Sequence, residues 1–214
     1  RHGGLLVYPT ETAYAVGCDA TNPRAVAAIF RLKGRNRGKS LPLIVASLTM
    51  AERYARFTPV VRRLAKKHWP GPLTIVADSR KPTAASRFTS DFSPPPAGRG
   101  SERGWGVLAP GITAPNGSLA LRASSHPIAR ALSQRLGRPI VSTSANRSGK
   151  PPCYSARAAI RSLHVAAGTP KKTPSVFLGV ATLDVGILPR RHPSTIVDGR
   201  GDTLRVLRRG AIRV

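Results

Sequence analysis

Five cations stand in the ten residues from Arg31 to Ser40: Arg31, Lys33, Arg35, Arg37 and Lys39, with Gly34 and Gly38 between them. Glycine lets backbone N–H groups close on an anion and the cations offset its charge, so the stretch suits a polyphosphate. Taken alone it would read as a solvated basic turn, the commoner fate of a charge run. What favours a site is a second polar cluster, Ser142-Thr-Ser-Ala-Asn146, which closes a strand-like apolar run elsewhere in the chain. Gly34 to Ser40 imitates a P-loop, but three residues rather than four separate its glycines. It also follows a helix and precedes a strand, whereas a P-loop runs from strand to helix so that the helix N-terminus meets the phosphates. The phosphate affinity is kept and the P-loop fold is rejected.

The remaining polar groups of interest fall at strand ends or just after them: Thr12, Arg122, Ser142, Ser144, Asn146, Ser194 and Arg208. Ligands of open α/β sheets bind beyond strand ends. Arg122 closes an alternating strand. A structural ion pair is its bland reading, but with nine acids in 214 residues a ligand carboxylate or phosphate is the expected partner. No acids are spaced as a carboxylate dyad, and the five histidines form no H-x-x-x-H pair. Glycosidase and two-metal hydrolase chemistry are therefore disfavoured. Cys18 and Cys153 make neither a disulfide framework nor a four-ligand zinc site.

The elements that must position these groups alternate. Leu5 to Pro9 reads as a strand, and Asn22-Pro23 caps a helix that buries Val26, Ile29, Phe30 and the Lys33 stem and stops at Gly34. Pro42 to Ala46 is a strand. Ser47 and Thr58-Pro59 open two helices, and Trp69-Pro-Gly-Pro72 turns into the strand Leu73 to Ala77. Residues 79–117, with Pro94-Pro-Pro96 and no helical period, read as a low-complexity, mobile insertion. Order resumes with the strand Ser118 to Arg122, a helix from His126-Pro127 to Leu136, a strand at Pro139 to Ser142 and a helix from Ser155 to about Ala167. Short strands follow at Val176 to Leu178, Ser194 to Val197 and Leu204 to Leu207. Alternating strands and helices with strands at the end predict one α/β domain, residues 1–214, with a mixed sheet.

Thirty-five Lys and Arg against nine acids give a net charge of +26 and a pI near 11.8. Such a surface expects a polyanionic partner, although arginine-rich composition across a whole proteome would produce the same excess. The insertion holds only Arg80, Lys81, Arg87, Arg99 and Arg103 against Asp91 and Glu102, so most of the charge lies on the ordered parts. No apolar run is long enough to span a membrane. The chain opens on Arg1 and reads as a processed form or a piece. Its expected compartment is the cytoplasm, or an organelle if a targeting segment precedes Arg1.

Six motifs in order carry a family resemblance: Tyr8-Pro-Thr-Glu-Thr-Ala-Tyr-Ala-Val-Gly17, Lys33-Gly-Arg35, Trp69-Pro-Gly-Pro-Leu-Thr74, Leu119-Ala-Leu-Arg122, Ser142-Thr-Ser-Ala-Asn146 with Ser148-Gly149, and Pro193-Ser-Thr-Ile196. Together they resemble the YrdC-type threonylcarbamoyl-adenylate synthases. The resemblance implies a YrdC-like twisted parallel/antiparallel sheet with flanking helices and a concave basic active-site face. It implies formation of threonylcarbamoyl-AMP and pyrophosphate from L-threonine, bicarbonate and ATP, for threonylcarbamoylation of a tRNA adenosine by downstream transferase proteins. Its catalytic tetrad falls on Lys33, Arg35, Ser144 and Asn146. The threonine positions fall on Thr12, Arg122, Ser142 and Ser194, and the nucleotide positions on Arg35, Lys39, Ser118, Ser144, Pro152 and Arg208. Mg2+ is expected on phosphates and water rather than on protein ligands, with no tightly bound cofactor. Ala46 stands where some members have His. Salt-dependent RNA binding is expected from the charge. Three other readings stand beside this one: a relative that uses carbamoyl phosphate, a non-catalytic module for double-stranded RNA or tRNA, and, least favoured because the polar clusters interrupt otherwise good strands, a bare structural domain.

Overall fold

The computed structural model describes residues 3–36, 38–80, 106–165, 180–201 and 203–214. Two sheets share one core. The smaller has the order β8-β2-β1-β9, from β1 (Leu5–Pro9), β2 (Tyr14–Gly17), β8 (Thr143–Ser144) and β9 (Val180–Thr182). The larger runs β11-β10-β5-β6-β3-β7, from β3 (Leu43–Ile44), β5 (Leu73–Ser79), β6 (Ser118–Arg122), β7 (Ile140–Val141), β10 (Thr195–Asp198) and β11 (Arg205–Arg208), with β4 (Ala55–Arg56) pairing β5. Parallel pairs (β10 with β5, β3 with β6) and antiparallel pairs (β5 with β6, β10 with β11) mix in this sheet, as expected from the sequence.

The helices are α1 (Pro23–Lys33), α2 (Leu48–Tyr54), α3 (Pro59–His68), α4 (Pro127–Leu136) and α5 (Ala156–Val165). Their starts follow local chemistry. Asn22, Ser47 and Thr58 each accept from a backbone N–H three residues on, and Pro stands in the first turn of α1, α3 and α4. Gly34 ends α1 at φ +57°, a left-handed conformation that costs glycine nothing and directs the basic loop away from the helix axis. Val26, Ile29 and Phe30 are buried on one face of α1, and the Lys33 side chain is buried on the last turn.

The sheets meet at Gly17. A Cβ there would lie 1.9 Å from the Val141 carbonyl oxygen, so only glycine lets β2 pass this close to β7. The Tyr8 hydroxyl donates to the same carbonyl at 3.0 Å, and Val141 N donates to Cys18 O at 2.9 Å.

Residues 106–117 depart from the expected insertion. Leu108, Ala109 and Ile112 are buried, Ala109 N donates to Ala20 O, and Leu41 N donates to Gly111 O. Composition concealed this, because a few apolar side chains on an irregular backbone have no period to read. Residues 81–105, and the strand expected at Val176 to Leu178, lie outside the described residues. β2, β4 and β8 were not expected as strands; each has two to four residues and exists through its pairing partner.

Candidate active site

Strand alternation on the larger sheet places the site. Leu119 and Leu121 of β6 are fully buried in the core, so Ser118, Ala120 and Arg122 share the opposite face. Across the β5–β6 register Val76 pairs Ala120 and Asp78 pairs Ser118, and across β5–β10 Thr74 neighbours Ile196. Arg208 on β11 stands opposite Ile196. One face therefore carries a half-open apolar floor, Val76, Ala120 and Ile196, edged by Ser118, Thr74, Arg122, Ser194 and Arg208.

At one end of this floor Arg122 is 8% exposed, and its Nη1 lies 3.1 Å from Glu11 Oε1 and donates to Thr12 Oγ1 at 3.4 Å. Glu11 also accepts from Ser124 Oγ. The expectation that Arg122 would meet a ligand instead of an acid is corrected here: the Tyr8–Gly17 segment brings its own carboxylate. A guanidinium has five N–H donors, so one ion pair leaves donors for a ligand carboxylate. Arg208 donates from Nε and Nη2 to Ser194 O at 3.1 and 2.8 Å and from Nη2 to Ser194 Oγ at 2.9 Å. Ser194 Oγ lies 2.9 Å from Thr74 Oγ1. Burial lowers the Arg208 pKa, and the like charge of Arg122 lowers it further. Anionic ligand charge would relieve that repulsion.

Ser142 Oγ is a buried atom without a sound hydrogen bond, close to the Tyr8 hydroxyl, whose own proton goes to Val141 O. Burial pushes the Tyr8 phenol well above its ordinary range, so it stays neutral.

Lys33 is 2% exposed. Its ammonium donates to Asn146 O at 2.6 Å and to Ser144 O, tying α1 to the strand-end cluster. Ser148 N returns a bond to Lys33 O at 3.1 Å. Burial lowers the Lys33 pKa from 10.5 to about 8, and the neighbouring Arg35 lowers it too. Arg35 donates to Lys39 O and Ser40 O at 3.2 and 2.9 Å, bending the basic loop around its own guanidinium. Asn146 Nδ2 donates to the Arg147 and Lys150 carbonyls, and its Oδ1 is buried without a partner. The Ser144 side is exposed, while its backbone pairs with Ala15 of β2.

The tetrad residues Lys33, Ser144 and Asn146 are thus brought together, with Arg35 beside them. Thr12, Arg122, Ser142, Ser194 and Arg208 form the adjoining group, since Arg122 acts electrostatically on both Tyr8 and Arg208. Ser118 is on the same face as Arg122 but at the far end of β6, its hydroxyl donated to Asn116 Oδ1 at 2.8 Å. Lys39 and Pro152 are exposed at the edges. Glu11, Ser124 and Thr74 were missed as site residues. Glu11 carried a signal, being a rare acid inside a motif beside Thr12.

The family model Sua5/yciO/yrdC, described as telomere recombination, matches residues 1–210. The chain belongs to the Sua5/YciO/YrdC family. It is similar to the threonylcarbamoyl-AMP synthase of Thiobacillus denitrificans, 34% identical over 92% of this chain and 86% of that protein. A second such synthase, from Chromohalobacter salexigens, is 33% identical over 96% of this chain and 91% of its own length. Among solved structures, P. abyssi Sua5 complexed with L-threonine superposes with a TM-score of 0.74 at 29% identity, over 97% of this chain and 51% of that one. The chain therefore spans about half the length of that Sua5. E. coli YciO shares the fold, with a TM-score of 0.67 at 24% identity.

Proposed function

We propose that this member of the family is an L-threonylcarbamoyladenylate synthase, an adenylyl-transferring enzyme that uses L-threonine, bicarbonate and ATP. The observation that carries the reading is the convergence on one sheet face of Arg122, Ser194 and Arg208, with the buried hydroxyl of Ser142 near Arg122 and the Lys33/Arg35 cations adjoining. The naming of the relatives and the threonine complex of P. abyssi Sua5 support it.

Threonine's carboxylate suits the free donors of Arg122, and its hydroxyl and amine suit Thr12, Ser142 and Ser194. The amine takes up the carbon of bicarbonate as a carbamate, the new N–C bond replacing a C–O bond, and the departing hydroxide leaves as water with the proton that the amine loses. A carbamate oxygen then attacks the α-phosphorus of ATP, the bond from that phosphorus to the bridging oxygen breaks, and pyrophosphate leaves. Attacking group and phosphates are both anionic, so alignment and charge neutralisation supply the catalysis. Arg35, Arg208 and Lys39 suit the phosphates; Lys33 holds the Ser144–Asn146 segment against them. Ser118 and Pro152 are assigned to the nucleotide edges. The donor set around Lys33 and Arg35 is cationic and fits phosphate rather than a metal ion. Mg2+ would be held by the phosphates of ATP and would supply charge neutralisation there.

Among the described residues no helix is long and apolar enough to cross a membrane. Both cysteines are free and buried, which suits the cytoplasm. RNA is a further expected partner, bound weakly through the +26 charge, and product would pass to downstream threonylcarbamoyl-transferase proteins.

The test is pyrophosphate release with ATP and Mg2+, each of threonine and bicarbonate omitted in turn. Dependence on both is expected. Stimulation by carbamoyl phosphate in their place would favour the carbamoyl-phosphate-using relative. Salt-resistant binding of one RNA structure, with no amino-acid preference, would favour the RNA module.

A further inference from the structure

Thr74 of β5 and Ser194, the residue before β10, meet on the site face of the larger sheet. Leu73 and Ile75 are fully buried in the core, so Thr74 points to the opposite face, where Ile196 is its β10 neighbour. The Thr74 hydroxyl lies 2.9 Å from Ser194 Oγ, and the two residues are 6% and 8% exposed. Among the described residues it has no other hydrogen-bond partner. Ser194 Oγ has one more, Arg208 Nη2, which donates to it at 2.9 Å.

Each hydroxyl brings one proton and two lone pairs, and a guanidinium can only donate. The two hydroxyls share a single bond, which uses one of their two protons. Arg208 cannot accept the other, and its remaining bonds here also run outward, from Nε and Nη2 to Ser194 O. Whichever oxygen donates in the shared bond, one buried hydroxyl proton is left without an acceptor among the described residues. An unmade bond at a buried donor is costly, so the group calls for an acceptor from outside the protein. Its charge follows from the surroundings. Arg208 is in contact, Arg122 acts on Arg208 as a like charge, and among the described residues no carboxylate bonds Arg208. A negatively charged oxygen answers the proton and the cations together. An ammonium would be repelled by the cations and would leave the proton unmatched.

We propose that Thr74 is a positioning residue of the site, forming with Ser194 and Arg208 a pocket of donors that takes one anionic oxygen of the substrates and excludes the amine. The amine of threonine is then left to Thr12 and Ser142. The oxygen belongs to the threonine carboxylate or to a phosphate of ATP, and the probes below tell these apart; to that extent the test rests on the synthase reading. Binding of L-threonine, of L-threoninol, which lacks the carboxylate, and of ATP is measured separately by equilibrium dialysis on the full chain. Thr74→Val keeps the side-chain shape and removes the hydroxyl. It should weaken threonine about tenfold, the effect of one charge-assisted hydrogen bond, and leave threoninol and ATP unchanged. Thr74→Ser keeps the hydroxyl and should bind threonine as the unaltered chain does. A loss for ATP alone would keep the pocket and make the oxygen a phosphate. The proposal is overturned if Thr74→Val weakens no ligand, weakens threonine and ATP equally or weakens threoninol as much as threonine, or if Thr74→Ser is as weak as Thr74→Val. Neutron diffraction from crystals of the ligand-free chain tests the pocket without any substrate or variant. One hydroxyl deuteron is expected on the line between Thr74 Oγ1 and Ser194 Oγ, and the other directed away from every protein acceptor. Two deuterons bonded to protein acceptors would overturn the proposal. A chain that bound neither threonine nor ATP would defeat the synthase reading, and the deuterons would still decide the pocket.

Discussion

Glu11 holds Arg122. The two are far apart in sequence, yet Oε1 and Nη1 are 3.1 Å apart, with side chains 7% and 10% exposed, and Glu11 is itself held by the Ser124 hydroxyl. Desolvation makes such a pair a weak source of stability, but removing one partner leaves the other charge buried and uncompensated. Its use here is geometric, because it fixes which guanidinium edge is presented to the sheet face.

Glu11→Gln should therefore keep a polar partner for Ser124 but release Arg122. The expected outcome is a KM for threonine raised about tenfold or more, with a smaller change in KM for ATP, because the affected contact is to the amino acid. Pyrophosphate release titrated against each substrate measures this. An unchanged threonine KM would remove Glu11 and Arg122 from the amino-acid subsite.

The buried Lys33 gives a pH signature. Its pKa is lowered to about 8, so in the free protein the cation is present below about pH 8 and lost above it. If catalysis needs the cation, kcat/KM falls above about pH 8, two units or more below an ordinary lysine near 10.4. Bound phosphates would raise the pKa, so kcat should hold to higher pH than kcat/KM. Stability moves the other way: between about pH 8 and the unfolded value the unfolded chain binds the extra proton, so the Lys33 contribution to stability rises with pH. A kcat/KM limb near pH 10 would show that Lys33 is not needed as a cation.

Substitutions at Lys33 and Arg35 should separate chemistry from fold. Lys33→Met removes a charge that burial disfavours and takes a donor from the Ser144 and Asn146 carbonyls, of which Ser144 O keeps the bond from Asn146 N; these effects oppose each other and are of similar size, about 1–3 kcal/mol each. The net change in stability should be within about 1 kcal/mol, with turnover down about a hundredfold. Arg35→Gln, in a half-exposed loop, should leave Tm unchanged and lower turnover by a similar factor. Denaturant melts beside pyrophosphate assays decide it, and full turnover in either variant would place the phosphates elsewhere.

Gly17→Ala tests the junction of the two sheets. The new Cβ would fall 1.9 Å from Val141 O, and the backbone must move to admit it. A loss of about 3 kcal/mol is expected, a Tm drop of roughly 6–12 °C for a chain of this size. A Tm within a degree of the unaltered protein would mean that the sheets can part without cost.

The local code was legible. Asn22-Pro23 and Gly34 bounded α1, and Ser47 and Thr58-Pro59 opened their helices, because caps are satisfied within three or four residues and depend little on the rest of the fold. The alternation of Ser118 to Arg122 was equally visible, and the ordered motifs identified the family. Tertiary structure alone decided the partners. Lys33 found two carbonyls beyond residue 143, Arg122 found Glu11, and Ala109 and Ile112 were drawn into the core from a stretch whose composition suggested none of this. β4 and β8, two residues each, became strands only because β5 and β2 offered edges to pair with. Caps and periods are short-range and can be read in order along the chain. Which buried charge meets which acceptor depends on what the folded backbone brings within about 3 Å, and desolvation then makes that choice costly to change.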